Sequence, residues 1–215
     1  MGVAMQKIII LTFLILTFIC SCSEQNKTAS DWLEKEKALW NTKEKKYTDP
    51  KKAIEYLNNA IKLQPNNAET YTKRGDAYYN LGQYQRALED YSKAIGLKQD
   101  YANAYNDRGN AYVNLGQYHK AIEDYNQVIR LKPDYEEAYS NRGISYYKVG
   151  QYQQAIDDFN KAIQLKPDSA DAYSTRGTAY LLRGNKELGC PDAQKACELK
   201  ICKTLELAKS KGWCH

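Results

Sequence analysis

Histidine occurs only twice in the 215 residues, phenylalanine and tryptophan three times each, and proline five times. Sparse proline beside frequent alanine and lysine suits helices better than a sandwich of short strands. The two histidines, His119 and His215, stand in unrelated places, and no nucleophile is paired with either by motif. No phosphate loop, metalloprotease helix or dinucleotide fingerprint is present. Trp213-Cys214-His215 is not a haem attachment site, because Lys211 stands where the first cysteine would be needed. The expectation is a chain with no catalytic constellation, no cofactor and no metal. Charge of one sign is also missing: the formal net charge is +5, with Lys and Arg interleaved among Asp and Glu. An even spread of that size leaves no nucleic-acid footprint. Long apolar runs are limited to one, Ile8 to Ile19. It falls short of the roughly 20 residues that span a bilayer.

That run follows Lys7 and reads as the h-region of a secretory signal. After it, Ile19-Cys20-Ser21-Cys22 resembles the bacterial lipoprotein box. Cys22 fits as the lipidated residue because the small Ser21 precedes it, whereas Ile19 is too bulky to stand just before a cut at Cys20. The expected organisation is a signal peptide at 1–21 and a polar tether at 22–30. A start at Met5 would give a more ordinary signal than Met1. Plain secretion and an uncleaved anchor are the alternatives. Gly2 does not indicate myristoylation, since Gln6 stands where that signal wants Ser or Thr.

What the chain does have is a period. Gly75, Gly109, Gly143 and Gly177 are 34 residues apart, and so are Gly82, Gly116, Gly150 and Gly184. Tyr71, Tyr105, Tyr139 and Tyr173 make a third column, and Tyr78, Tyr112, Tyr146 and Tyr180 a fourth. Ala87, Ala121 and Ala155 make a fifth, followed by Tyr91, Tyr125 and Phe159. Aromatics seven apart lie on one helical face. A second helix is expected from about Tyr84 to Lys98, with Ala87, Tyr91, Ala94 and Ile95 on its stripe. Gly82 marks a turn needing positive φ. Pro65, Pro133 and Pro167 end second helices, and Gln99 in the same place predicts a looser turn. Mid-helix Gly75 and its equivalents imply a closely crossing neighbour, with the Ala87 column as its small partner.

These columns resemble the tetratricopeptide repeat, which implies an all-α, right-handed superhelical solenoid of helix-turn-helix units. The organisation expected is a degenerate N-terminal repeat at 31–67, repeats at 68–101, 102–135 and 136–169, and an atypical terminal repeat at 170–215. In the degenerate unit Trp40 and Asn41 occupy the places of Arg74 and Gly75, so its first helix is expected to pack less closely. Arg74, Arg108, Arg142 and Arg176 are each followed sixteen residues later by Asp90, Asp124, Asp158 and Asp192. In the degenerate repeat both change together, to Trp40 and Tyr56, which predicts an Arg–Asp pair bridging the two helices. The alternative has each charge pointing separately to water.

Four cysteines crowd the terminal unit: Cys190, Cys197, Cys202 and Cys214. Gaps of six, four and eleven residues suit zinc poorly, and export implies an oxidising compartment, so disulfides are favoured over metal or free thiols. With Pro191 as the first residue of a helix ending near Lys200 and a capping helix returning to about Lys211, the nested pairing Cys197–Cys202 and Cys190–Cys214 is the one favoured among the three possible. An unbroken helix would separate Cys197 and Cys202 by about 7.5 Å and forbid their bond.

In the family resembled, the first helix of each repeat lines a concave groove. By register this implies partner-binding positions at Glu69, Thr72, Asp76 and Tyr79, then Asn103, Asn106, Asn110 and Val113. Glu137, Ser140, Asn141, Ile144 and Tyr147 follow, and finally Asp171, Ser174, Thr178 and Leu181. Asn110 and Asn141 match the asparagines of the carboxylate-clamp subset, but Asn106, Asp171 and Thr175 stand where its basic residues would be. The implied ligand is an extended neutral or basic peptide, or a partner helix, rather than an acidic terminus. The resulting expectation is a scaffold or assembly factor of the bacterial cell envelope, lipid-anchored and facing the periplasm, and binding other envelope proteins. Ser23 after Cys22 favours the outer membrane under enterobacterial sorting. The alternative is a peptidoglycan- or carbohydrate-binding envelope protein using the tyrosine-rich surface.

Overall fold

The computed structural model describes residues 27–215; the signal segment and Cys22 lie outside the described residues. Eleven helices and one short hairpin follow in order. α1 (Ala29–Lys37) leads into β1 (Trp40–Asn41) and β2 (Lys46–Tyr47), then α2 (Pro50–Leu63), α3 (Ala68–Asn80), α4 (Tyr84–Leu97) and α5 (Ala102–Asn114). α6 (Tyr118–Leu131), α7 (Glu136–Lys148), α8 (Tyr152–Leu165), α9 (Ala170–Leu182), α10 (Lys186–Glu198) and α11 (Lys203–Ser210) complete it. The helices pack as consecutive hairpins, each against the next, into a solenoid. No helix among the described residues is long and apolar enough to cross a membrane.

In the four hairpins from α3 to α10 the turn is made by a glycine, Gly82, Gly116, Gly150 or Gly184. At the end of α3, Gly82 adopts φ +71, Gln83 N donates to Tyr78 O and Gly82 N to Tyr79 O, both at 2.9 Å. This is the paired bond pattern that closes a helix on a left-handed residue. The other glycine column answers to a ring. A Cβ on Gly75 would stand 2.6 Å from Tyr91 Cε1, one on Gly109 2.7 Å from Tyr125, and one on Gly143 3.0 Å from Phe159. The close partner is therefore the aromatic column, not the alanine column expected from the sequence. Only at Gly177 does the approach involve that column, where Gly189 O lies 3.1 Å from the position of a Cβ. At Gln99 the backbone enters the turn as it does before Pro167, with Lys98 at φ −143 and ψ 96 beside −139 and 90 at Lys166. But the Tyr135 N–Lys132 O and Ser169 N–Lys166 O bonds of the Pro133 and Pro167 turns have no counterpart there among the described residues.

All four arginines of the repeated column grip their aspartates with two donors. Arg108 Nε and Nη2 donate to Asp124 Oδ2 and Oδ1 at 2.8 and 2.7 Å, and the other three pairs repeat this geometry. The remaining nitrogen reaches back to the preceding repeat: Arg74 Nη1 to Asn58, Arg108 to Ser92, Arg142 to Asn126 and Arg176 to Asn160. Each guanidinium also lies over the tyrosine three residues earlier, 5.5 Å from the Tyr105 centroid for Arg108.

The N-terminal unit departs from the expectation. Trp40 and Asn41 are not in a helix; they pair with Tyr47 and Lys46 in the hairpin. Tyr47 is buried, its hydroxyl donates to the buried Glu36, and Lys73 Nζ on α3 reaches Glu36 at 3.0 Å. Tyr47 N also donates to Asn80 Oδ1 at 2.8 Å. The hairpin is thus fastened to the concave side of α3.

The terminal unit corrects another expectation. Pro191 lies inside α10, which begins at Lys186 with Asn185 as its side-chain cap. Cys190 is placed at disulfide-bonding distance from Cys214, and Cys197 from Cys202. The turn that lets α11 fold back is made by Lys200 at φ +77, with Ile201 N bonded to Ala196 O. A lysine here occupies the place where glycine is usual.

Candidate functional site: the concave groove

The first helices α3, α5, α7 and α9 sit side by side and present one wall. Between α3 and α5 the wall opens into a cleft of about 350 Å³. Asp76, Tyr79 and Asn80 come from α3 and Asn106, Asp107 and Asn110 from α5; Tyr135 and Glu137 close one side, and Trp40 and Lys45 of the hairpin the other. Tyr91, beneath the floor, donates its hydroxyl to Asp76 Oδ1 at 2.9 Å. One helical pair further on, Tyr125 donates to Asn110 Oδ1 at 2.7 Å, and Asn141 Nδ2 joins the same oxygen at 3.1 Å.

The cleft is electrostatically unbalanced. Burial, reinforced by Asp107, pushes the Asp76 carboxyl well above the usual carboxylate range, against the hydrogen bond from Tyr91. Burial likewise raises Asp107 to about 6, opposed by its bond from Asn106. The basic residue on the rim, Lys45, is exposed and is spent on Glu137 at 3.5 Å. Asn106 is 5% exposed. Its Nδ2 donates to Asp107 Oδ1 at 3.3 Å, while its Oδ1 has no hydrogen-bond partner among the described residues. Among the described residues, no three His, Cys, Asp or Glu side chains are grouped so as to hold a metal ion.

Sequence profiles for the TPR repeat match residues 51–82, 75–116 and 109–150, and one for the tetratricopeptide repeat matches 136–169. The chain belongs to the tetratricopeptide repeat family. A crystal structure of MamA is 31% identical and covers 71% of this chain and 89% of that one, with a TM-score of 0.68. MamA from Desulfovibrio magneticus RS-1 is 23% identical over 80% and 94% of the two chains, with a TM-score of 0.74. YrrB, described as a TPR protein with an unusual peptide-binding site, is 22% identical over 89% and 97%, with a TM-score of 0.72. No curated protein matches the sequence.

Within this TPR frame the expected groove positions divide into three sets. Asp76, Tyr79, Asn106, Asn110 and Glu137 come together in the cleft. Glu69, Asn103, Val113, Ser140, Asn141, Ile144 and Tyr147 are partly or fully exposed along the first helices, as is Asp171, while Thr72 is buried with its hydroxyl bonded to Ala68 O. The end of the TPR groove is not open. Ser174 Oγ lies 2.7 Å from Thr204 Oγ1 on α11, Thr178 Oγ1 is 3.5 Å from the same atom, and Leu181 is buried with Ala208 and Cys214. Those three positions serve the cap. Asp107, Tyr135 and the hairpin residues Trp40 and Lys45 were missed by register reasoning. The column of Asp107 carries Lys73, Asn141 and Thr175 elsewhere, so nothing periodic marks it.

Proposed function

We propose that the chain is a non-catalytic scaffold or assembly factor of the bacterial cell envelope, tethered by lipid at Cys22, that holds an extended segment or helix of other envelope proteins in its concave groove. The observation that carries the reading is the wall of first helices, open and polar from α3 to α7 and closed beyond by α11. A groove sealed at one end and lined by side-chain amides and carboxylates suits hydrogen bonding to an extended backbone. YrrB, with its peptide-binding site, lends the fold a precedent. The signal run and the serine before Cys22 support export and lipidation, and the paired cysteines fit an oxidising compartment. Carbohydrate binding draws less support, because Tyr71, Tyr91 and Tyr125 are buried in the packing between helices.

Photo-crosslinking in intact cells tests the groove. A photoreactive phenylalanine at Asn110 or Ser140 should capture defined envelope proteins, and the same residue at Arg86 on the outer helix should not. Equal capture from both faces, or from neither, removes the groove as the binding surface. Palmitate labelling lost in Cys22→Ser tests the anchor separately.

A further inference from the structure

We propose that the cleft between α3 and α5 is a receptor for one basic side chain, with arginine the best match, on the segment held in the groove. The inference rests on the groove reading above and names the chemistry that would recognise the partner there. Asp76 Oδ1 is taken by Tyr91 and Asp107 Oδ1 by Asn106, which leaves the second oxygen of each carboxylate without a donor among the described residues. Asn106 adds a third acceptor: it is buried, lines the cleft and has an Oδ1 with no partner. An acceptor orphaned in this way is an energetic cost carried by the cleft. A donor arriving with the ligand removes that cost.

Acceptors of this number and kind need a donor-rich cation, and the walls say which. Trp40, Tyr79 and Tyr135 line the same cleft. A guanidinium offers five donors in a plane and stacks flat on aromatic faces, whereas an ammonium offers three and meets a ring only as a point charge. A metal ion is a poor fit, because no three ligating side chains are grouped for one among the described residues. The nearby ammonium, Lys73, opposes the rise of Asp76 only in part and is itself bonded to Glu36. Burial and mutual repulsion keep Asp76 above the usual range, and burial holds Asp107 at about 6.

The arrangement occurs once in the solenoid. The column of Asp76 continues as Asn110, Ile144 and Thr178, and that of Asp107 runs Lys73, Asn141, Thr175. A single paired-carboxylate receptor would set the register of a bound chain, because a one-repeat slip places the cation opposite the uncharged Asn110 and Asn141, or opposite Lys73.

The test uses full-length protein in detergent and three fluorescein-labelled peptides, Gly-Ser-Ala-X-Ala-Ser-Gly, with X as arginine, lysine or citrulline. Anisotropy should show the arginine peptide binding at least tenfold tighter than the citrulline peptide, with lysine between them. Asp76→Asn and Asp107→Asn keep the side-chain shape, and each should bring arginine down to the citrulline level. Asp171→Asn, a groove carboxylate outside the cleft, should change nothing, and unchanged circular dichroism reports that the variants are folded. Citrulline binding as tightly as arginine overturns the receptor while leaving the groove reading intact. An arginine preference that survives both cleft variants also overturns it, by placing the basic site elsewhere. Absence of arginine binding at millimolar peptide overturns it as well, and the fate of the groove itself is then read from the Asn110 and Ser140 crosslinks.

Discussion

The hydroxyl of Tyr91 donates to Asp76 at 2.9 Å, from the core of one hairpin to the floor of the groove. The relationship repeats and then stops as a unit. Tyr125 donates to Asn110, but in the next repeat Phe159 packs where Ile144 offers no acceptor. The presence of a core hydroxyl follows the presence of a groove acceptor. Tyr91→Phe should cost about 1–2 kcal/mol, by stripping a partly buried carboxylate of its donor. Phe159→Tyr should also destabilise, by bringing a hydroxyl to a place without a partner. Urea unfolding of the two variants beside wild type checks both, and a stabilised Phe159→Tyr would contradict the pairing.

The double grip of arginine on aspartate predicts strong coupling. Arg108 and Asp124 side chains are 20% and 5% exposed, so water screens them weakly. A double-mutant cycle with Arg108→Ala and Asp124→Ala should return an interaction energy of about 1–2 kcal/mol. Zero coupling would mean that the two charges act independently. The single Arg108→Ala variant should lose more than the coupling, since it leaves a buried carboxylate unpaired and removes the contact with Ser92.

Gly109→Ala should be destabilising despite alanine's better helix propensity. Propensity favours alanine by about 1 kcal/mol, but the added carbon would stand 2.7 Å from the Tyr125 ring. Overpacking at such a site costs about 1–3 kcal/mol. At Gly96, where a Cβ would meet nothing within 4 Å, alanine should raise the melting temperature instead. Thermal melts of the two variants, moving in opposite directions, check the argument.

Asp107 gives stability a pH dependence with a definite sign. Its carboxyl is raised from 3.8 to about 6 in the folded protein, so folding favours the protonated form. The contribution is complete below about pH 4 and is lost as pH rises through about 6. Asp76, raised by burial and by Asp107, acts in the same direction; Glu36 and Glu137 add to the repulsion and Lys73 opposes it. Asp107→Asn should flatten the profile between pH 4 and 7 and raise the neutral-pH melting temperature by a few degrees, about 2–4 °C for each kcal/mol gained. A melt that climbs across that window in wild type would contradict the assignment.

The two cysteine pairs should contribute unequally. Cys190–Cys214 closes a loop of 24 residues and Cys197–Cys202 one of 5. Chain entropy assigns them about 3.5 and about 2 kcal/mol respectively. Cys190→Ser with Cys214→Ser should therefore lower the melting temperature more than the inner pair does, and should expose Ser174 and Thr178 as α11 loosens. Hydrogen exchange at those two residues reads the second effect.

What could be read from the residues, and what could not, has a physical boundary. Gly82 must take positive φ and Gly75 must lie under a ring, so neither place tolerates a choice and both recur every 34 residues. Arg108 and Asp124 were equally plain, because a buried charge without its partner is too costly to keep. The third contact of each arginine was also periodic, at Asn58, Ser92, Asn126 and Asn160, though its meaning depends on how one hairpin stacks on another. The hairpin at Trp40–Tyr47 was hidden, since its turn puts Lys45, not glycine, at φ +51. The cap turn also lacks glycine, at Lys200, but there the spacing of the four cysteines still placed it. Asp107 could not be found by period at all: only the lateral approach of α5 to α3 brings it beside Asp76.

Because Arg74 holds Asn58 on α2 and Asp90 on α4 while itself standing on α3, and its three counterparts do likewise, no hairpin can swing out without tearing polar bonds in the one before it. Partial opening from the middle of the array is thereby penalised twice, once at each border. Fraying must start at an end, and one of those ends carries two cysteine pairs at disulfide-bonding distance. An extended, one-dimensional molecule gains in this way a resistance to local melting, and to the proteases that wait for it, which its small cross-section alone would not provide.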